Sequence, residues 1–203
     1  MKQLLLALGL LAAAYLHPAS AADTSPDSKT PAKPAVTTAS PQVQVVTSMG
    51  SFTIELNAER APLTVPHFLA YVDQGHYTNT LIHRAVANFV IQGGGFNADY
   101  TPKPAPVKVV NESGNGLSNI RGTVGLARSQ EPHGGNAQFY VNINDNAALD
   151  PQQTRWGYAV FGRVISGMDV VDRIGNVATG AHGILKEETP LKPIVILRIE
   201  RVP

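Results

Sequence analysis

The chain has no cysteine among its 203 residues. That absence rules out disulfides, a thiol nucleophile, cysteine-ligated zinc and a lipid anchor on a mature N-terminal cysteine. An excess of one charge is lacking too: 16 Lys and Arg face 15 Asp and Glu, for a formal net charge of +1. Without clustered cations a dedicated nucleic-acid binder is not expected, because phosphate neutralisation needs them. The six histidines form no HxH or HExxH pair, and there is no GxSxG elbow. A Ser-His-Asp triad would have to be assembled from scattered residues, with no motif behind it. QGGG at 92–95 is not followed by the Lys-Ser/Thr of a phosphate loop, so its glycines serve tight backbone turning or close ligand approach. A catalyst built from this chain works with no metal, no cofactor and no covalent nucleophile.

Long apolar runs are also scarce. One occurs at the start, MKQLLLALGLLAAAYLHPASAA, where a single Lys precedes Leu4 to Leu16 and the small triplet Ala19-Ser20-Ala21 follows. This is the pattern of a secretory signal over 1–21, too short for a bilayer span, with a cut after Ala21. It predicts export to the periplasm, or secretion where no outer membrane exists, with no membrane attachment after cleavage. Residues 22–41, rich in Pro, Thr and Ala, lack periodicity and read as a disordered linker. The folded domain is expected over 42–203.

Within that domain Phe52, Ile54 and Leu56 alternate with polar neighbours as the second strand of a hairpin that begins at Val43. Val65, Phe68, Leu69 and Val72 stand at i, i+3, i+4 and i+7, which predicts an amphipathic helix with Thr64 as N-cap and Gly75 as its stop. TLIHRAVANFVIQ reads as two strands around Ala87-Asn88, and 97–119 as a long loop. TVGLAR, AQFYVNI and GYAVFGRVI are further strands, GMDVVDRIG a second helix, and PIVILRIERV a last strand. Strands so closely spaced leave no room for βαβ crossovers, so the class is all-β. A closed antiparallel barrel with a helix over each opening pairs every strand edge, while a two-sheet sandwich is the alternative that pattern leaves open.

One stretch stands apart. HRAVANFVIQGGG, His83 to Gly95, sets a permanent charge beside an apolar run. A lone arginine at a strand end ordinarily lays its stem over the core. Here Arg84, Phe89, Val90 and Gln92 fall on adjacent strands, and AQFYVNI places Gln138 and Tyr140 two residues apart on one face. A guanidinium and two carboxamides beside aromatic rings make a pocket with an apolar floor and fixed donors.

HRAVANFVIQGGGF, NESGNGLSNIRGTVGLAR, NAQFYVNINDNAALD and GYAVFGRV, in this order, resemble the bacterial cyclophilins, which are peptidyl-prolyl cis-trans isomerases. The resemblance runs from about Gln42 to Val202. It implies an eight-stranded antiparallel barrel capped by two helices, and isomerisation of X-Pro bonds in unfolded or flexible exported polypeptides. The catalytic arginine falls on Arg84. The proline pocket falls on Phe89, Val90, Tyr140 and Leu149, with Tyr158 at the rim. Gln92 and Gln138 take the polar positions that steer the arginine and the peptide backbone, Ala127 and Arg128 those that pair with it through main-chain groups, and His83 that of a substrate contact. Tyr140 stands where the family commonly has Phe, so its hydroxyl needs a partner. Ala148 stands where eukaryotic members have the Trp that docks cyclosporin, which implies weak binding of that drug. Trp156 is read as packing, and His67, His133 and His182 as solvated. A monomer is expected. A peptide-binding chaperone module with incidental catalysis is the rival reading, and an export-linked serine hydrolase a remoter one.

Overall fold

The structure, a computed structural model, describes residues 40–203, apart from the side chain of Lys186. The predicted signal segment and nearly all of the predicted linker lie outside the described residues. The elements are β1 (Gln42–Thr47), β2 (Gly50–Leu56), α1 (Thr64–Asp73), β3 (Thr80–Val86), β4 (Val90–Asn97), β5 (Thr123–Leu126), β6 (Phe139–Asn142), β7 (Val160–Ser166), α2 (Met168–Gly175), β8 (Thr179–His182), β9 (Leu185–Pro190) and β10 (Val195–Val202).

Alternation builds the barrel. Val43, Val45, Phe52, Ile54 and Leu56 are at most 1% exposed, while the residues between them are half-buried. Eight strands close in the order β1-β10-β3-β4-β6-β5-β7-β2, every neighbouring pair antiparallel. Closure removes the free edges that a sandwich would leave. The helices fill the inside from their apolar faces. Phe68 of α1 meets Tyr77, Phe139 and Phe161 at centroid distances of 5.3, 5.8 and 5.0 Å, and α2 adds Val170, Val171 and Ile174. Among the described residues no helix is long and apolar enough to cross a membrane.

Two local features differ from expectation. Thr64 does not cap α1: the N-cap is Leu63, which has no side-chain hydrogen bond to offer. The cap comes instead from Glu112 in the long loop, whose carboxylate accepts from Leu63 N (3.0 Å), Thr64 N (2.7 Å) and Thr64 Oγ1 (2.7 Å). The C-terminal stop is as predicted, with Gly75 at φ +67 behind Gln74. The second difference is the separate hairpin β8–β9 between α2 and β10. Loop 97–119 is pinned by carboxamides: Asn111 Nδ2 donates to the Pro132 and Gly157 carbonyls, and Asn115 Nδ2 to the Val160 carbonyl.

Candidate active site

Strand alternation alone would put Arg84 inside the barrel. Ile82 is 1% exposed in the core, and a residue two further along a regular strand shares its face. The register shifts at this point, however: Ile82 pairs with Gly93 and Arg84 with Gln92. His83 is the extra residue of the bulge, and it turns Arg84 outward while Ala85 returns to the core at 3% exposure.

Gln92 pairs with Arg84 on one side and Tyr140 on the other, so β3, β4 and β6 carry the three abreast on the outer face of the sheet. Arg84 Cζ lies 5.6 Å from the centre of the Phe89 ring, a cation–π distance. Gln92 Nε2 donates to Gln138 Oε1 at 3.0 Å. A Cβ at Gly95 would collide with the Gln138 carboxamide, and one at Gly125 with the Tyr140 ring. At Gly95 the close approach is therefore to the protein's own glutamine, where the sequence left a ligand as one option. Gly94, at φ +87, is the glycine that turns the backbone. Ala127, Arg128, Ser129, Gly134 and Asn136 close around the two glutamines in a cleft of about 210 Å³.

The Arg128 side chain has a use that main-chain pairing does not foresee. Its Nε donates to the Gly157 carbonyl (3.1 Å), Nη2 to that of Trp156 (2.7 Å) and Nη1 to that of Ser129 (3.0 Å). Its Cζ stands 4.6 Å over the Tyr158 ring. One guanidinium thus clamps the chain just past β5 to the segment that carries Tyr158. Leu149 joins from a 3-10 turn, Ala147–Leu149, and its carbonyl accepts from Tyr158 N at 2.9 Å.

Tyr140 is 4% exposed and meets Tyr158 edge to face at 6.1 Å. Its hydroxyl donates to Asn119 Oδ1 at 2.5 Å. Burial pushes the phenol well above its ordinary pKa, with the charge of Asp150 and the Tyr158 hydroxyl adding to the rise, so it remains a donor. Asn119 in turn donates its backbone N (2.7 Å) and Nδ2 (2.8 Å) to Asp150 Oδ1. Nothing local in the sequence announces Asn119, which sits in an Asn- and Gly-rich loop.

Two further predicted residues are buried besides Tyr140. Val90 is 2% exposed and His83 is 7% exposed. The His83 ring rests on Phe96 at 4.8 Å, and its Nδ1 has no partner. Burial drives its pKa down to about 4, against an upward pull from the Leu81 backbone, and the Arg84 charge adds to the fall. His83 is neutral at pH 7 and packs behind the arginine. Trp156, 47% exposed, stands edge-on to His133 at 5.2 Å. The three histidines read as solvated each have a partner: His67 Nε2 lies 3.1 Å from the Asn136 carbonyl, His133 Nδ1 accepts from Asn111 N at 3.1 Å, and His182 stacks on Tyr100.

A guanidinium over an aromatic ring, beside paired carboxamides and an apolar wall, can hold a small apolar ring and meet a developing lone pair. The family model described as cyclophilin type peptidyl-prolyl cis-trans isomerase/CLD matches residues 42–201. The peptidyl-prolyl cis-trans isomerase cyp18 of Streptomyces antibioticus is 46% identical over 157 residues, 76% of this chain and 94% of that protein. Peptidyl-prolyl cis-trans isomerase B of Escherichia coli is 42% identical over 153 residues, 74% of this chain and 93% of that one. Among solved structures, a cyclophilin type peptidyl-prolyl cis-trans isomerase of Cryptosporidium parvum shares the fold with a TM-score of 0.67 at 24% identity, covering 81% of this chain and 98% of its own.

Proposed function

The chain belongs to the cyclophilin family and is a peptidyl-prolyl cis-trans isomerase, and from that premise we propose that Arg84 and the pocket beside it rotate X-Pro bonds in exported polypeptides. The observation that carries the reading is the Arg84 guanidinium over Phe89, next to the Gln92–Gln138 pair and the Tyr140 ring.

Amide resonance gives the X-Pro bond a barrier of about 18–20 kcal/mol. Halfway through rotation that resonance is lost, and the proline nitrogen gains a lone pair. Arg84, which does not deprotonate, donates to that nitrogen or holds the carbonyl oxygen as it swings. No covalent bond is made or broken, so the enzyme needs only to bind the twisted form more tightly than the planar one. An acceleration of about 10⁴-fold requires about 5.4 kcal/mol of such preference. One charge-assisted hydrogen bond contributes about 1.5–3 kcal/mol. The remainder falls to the pocket of Phe89, Tyr140, Leu149 and Tyr158, which anchors the proline ring and excludes water, while Gln92 and Gln138 steer the arginine and the substrate backbone.

The signal pattern at 1–21 supports an exported, periplasmic folding catalyst. A protease-coupled proline-peptide assay on residues 22–203 tests the activity, and fractionation of cells expressing the full chain tests the location. Rapid isomerisation and recovery outside the cytoplasm are the expected results. Peptide binding without isomerisation would favour a chaperone module, and retention in the cytoplasm would refute export.

A further inference from the structure

The hairpin of β8 and β9 brings a negative charge to the site. β9 lies against β3, and Glu188 on β9 places Oε1 4.0 Å from Arg84 Nη2. The two side chains are 44% and 34% exposed, so both remain accessible to solvent. The hairpin holds the carboxylate there. Tyr100 stacks on His182 at 3.8 Å with the planes 27° apart, Leu191 N donates to the Ala178 carbonyl at 2.9 Å, and Thr189, next to Glu188, is 3% exposed. Among the described residues Glu188 is the one acidic group paired with Arg84.

Building on the isomerase reading of Arg84, we propose that Glu188 is a specificity-determining counter-charge that biases the groove against X-Pro segments with an acidic residue beside the proline. Guanidinium and carboxylate groups pair readily, often through two parallel hydrogen bonds. An Asp or Glu next to a bound proline would offer such a carboxylate a few ångströms from Arg84 and draw its donors off the rotating amide. Glu188 sits where it answers the charge without using those donors, because 4.0 Å is beyond hydrogen-bond reach. It also repels a second carboxylate, which is selection by an unfavourable contact with the wrong partner. Arg128, the other cation of the groove, already donates to the carbonyls of Ser129, Trp156 and Gly157.

The test compares Ala-X-Pro-Phe peptides with X as Lys, Ala or Glu on the mature chain and on Glu188→Gln. In the variant the ratio of kcat/KM for Lys-Pro to that for Glu-Pro falls about fivefold at low ionic strength, the order expected for one partly exposed charge acting on another. The change shrinks below about twofold at 0.5 M salt, where screening acts within about 5 Å. Glu188→Lys lowers the ratio further. A ratio within twofold of the parent in both variants overturns the proposal. Arg84→Ala run on the X = Ala peptide separates the two layers. If it isomerises as fast as the parent, the role of Arg84 fails and this proposal with it; if it is inactive while the Glu188 variants keep the parent ratio, only the role of Glu188 fails.

Discussion

The Tyr140 hydroxyl donates to Asn119 Oδ1 at 2.5 Å, and through Asn119 it is coupled to Asp150, which ends the 3-10 turn that carries Leu149. A phenylalanine at this position would leave Asn119 Oδ1 with the Asn142 Nδ2 donor, at 3.2 Å. Tyr140→Phe is therefore expected to cost about 1–2 kcal/mol of stability, a Tm lower by about 2–8 °C for a domain of this size. The apolar ring stays in place, so kcat/KM changes less than about twofold. A thermal melt and a peptide assay check both, and an unchanged Tm contradicts the coupling.

Arg128 acts through the backbone and the ring that it holds, at Ser129, Trp156, Gly157 and Tyr158. Arg128→Ala removes three carbonyl contacts and the ring stack on Tyr158, loosening the rim while leaving Arg84 in place. KM is expected to rise about three- to tenfold with kcat within about twofold, the signature of lost substrate binding common to ground and transition states. Arg128→Lys fails to restore KM, because an ammonium cannot span three carbonyls as a planar fork does. Restoration by Lys would contradict the clamp.

His83 makes stability depend on pH with a definite sign. Its folded pKa of about 4 lies below the ordinary 6.5. Above pH 6.5 neither state binds the proton and His83 adds no pH dependence. As pH falls from 6.5 toward 4 the unfolded chain takes up a proton that the folded chain refuses, and stability falls by up to about 3 kcal/mol. His67 and His76, also depressed by burial, tilt the curve the same way. Denaturant unfolding of His83→Leu across this window is expected to show a smaller slope than the parent. Equal slopes would show that His83 is not held neutral.

Glu112→Ala uncaps α1 from a distance. Three donors at the helix start lose their acceptor, a cost of about 1–2 kcal/mol. Chemical denaturation measures it, and a variant as stable as the parent contradicts the cap.

The barrel strands and both helices were legible because their periods are set by burial: Phe52, Ile54 and Leu56 at period two, Val65, Phe68, Leu69 and Val72 at the helical period. β8–β9 was not, because TGAH and LKEETP carry no apolar alternation, and Glu188 was invisible with it. The cap of α1 escaped for another reason: Glu112 lies 48 residues from Thr64, and local sequence offers Thr64 itself. The same holds for Asn119, 21 residues from Tyr140. Arg84 was found as a residue, yet its direction depends on a one-residue bulge at His83 that no pattern announces. Without that bulge the charge would point into the core.

In the proposed mechanism Arg84 stabilises the half-rotated amide more than it binds the planar peptide. Steady-state kinetics of Arg84→Ala on a neutral X-Pro peptide test it most directly, with a thermal melt confirming a parent-like fold. The expected result is kcat lower by about 10- to 150-fold, the range that one charge-assisted hydrogen bond supplies, with KM within about threefold. An unchanged kcat with a raised KM would contradict it, because Arg84 would then serve only to hold the substrate.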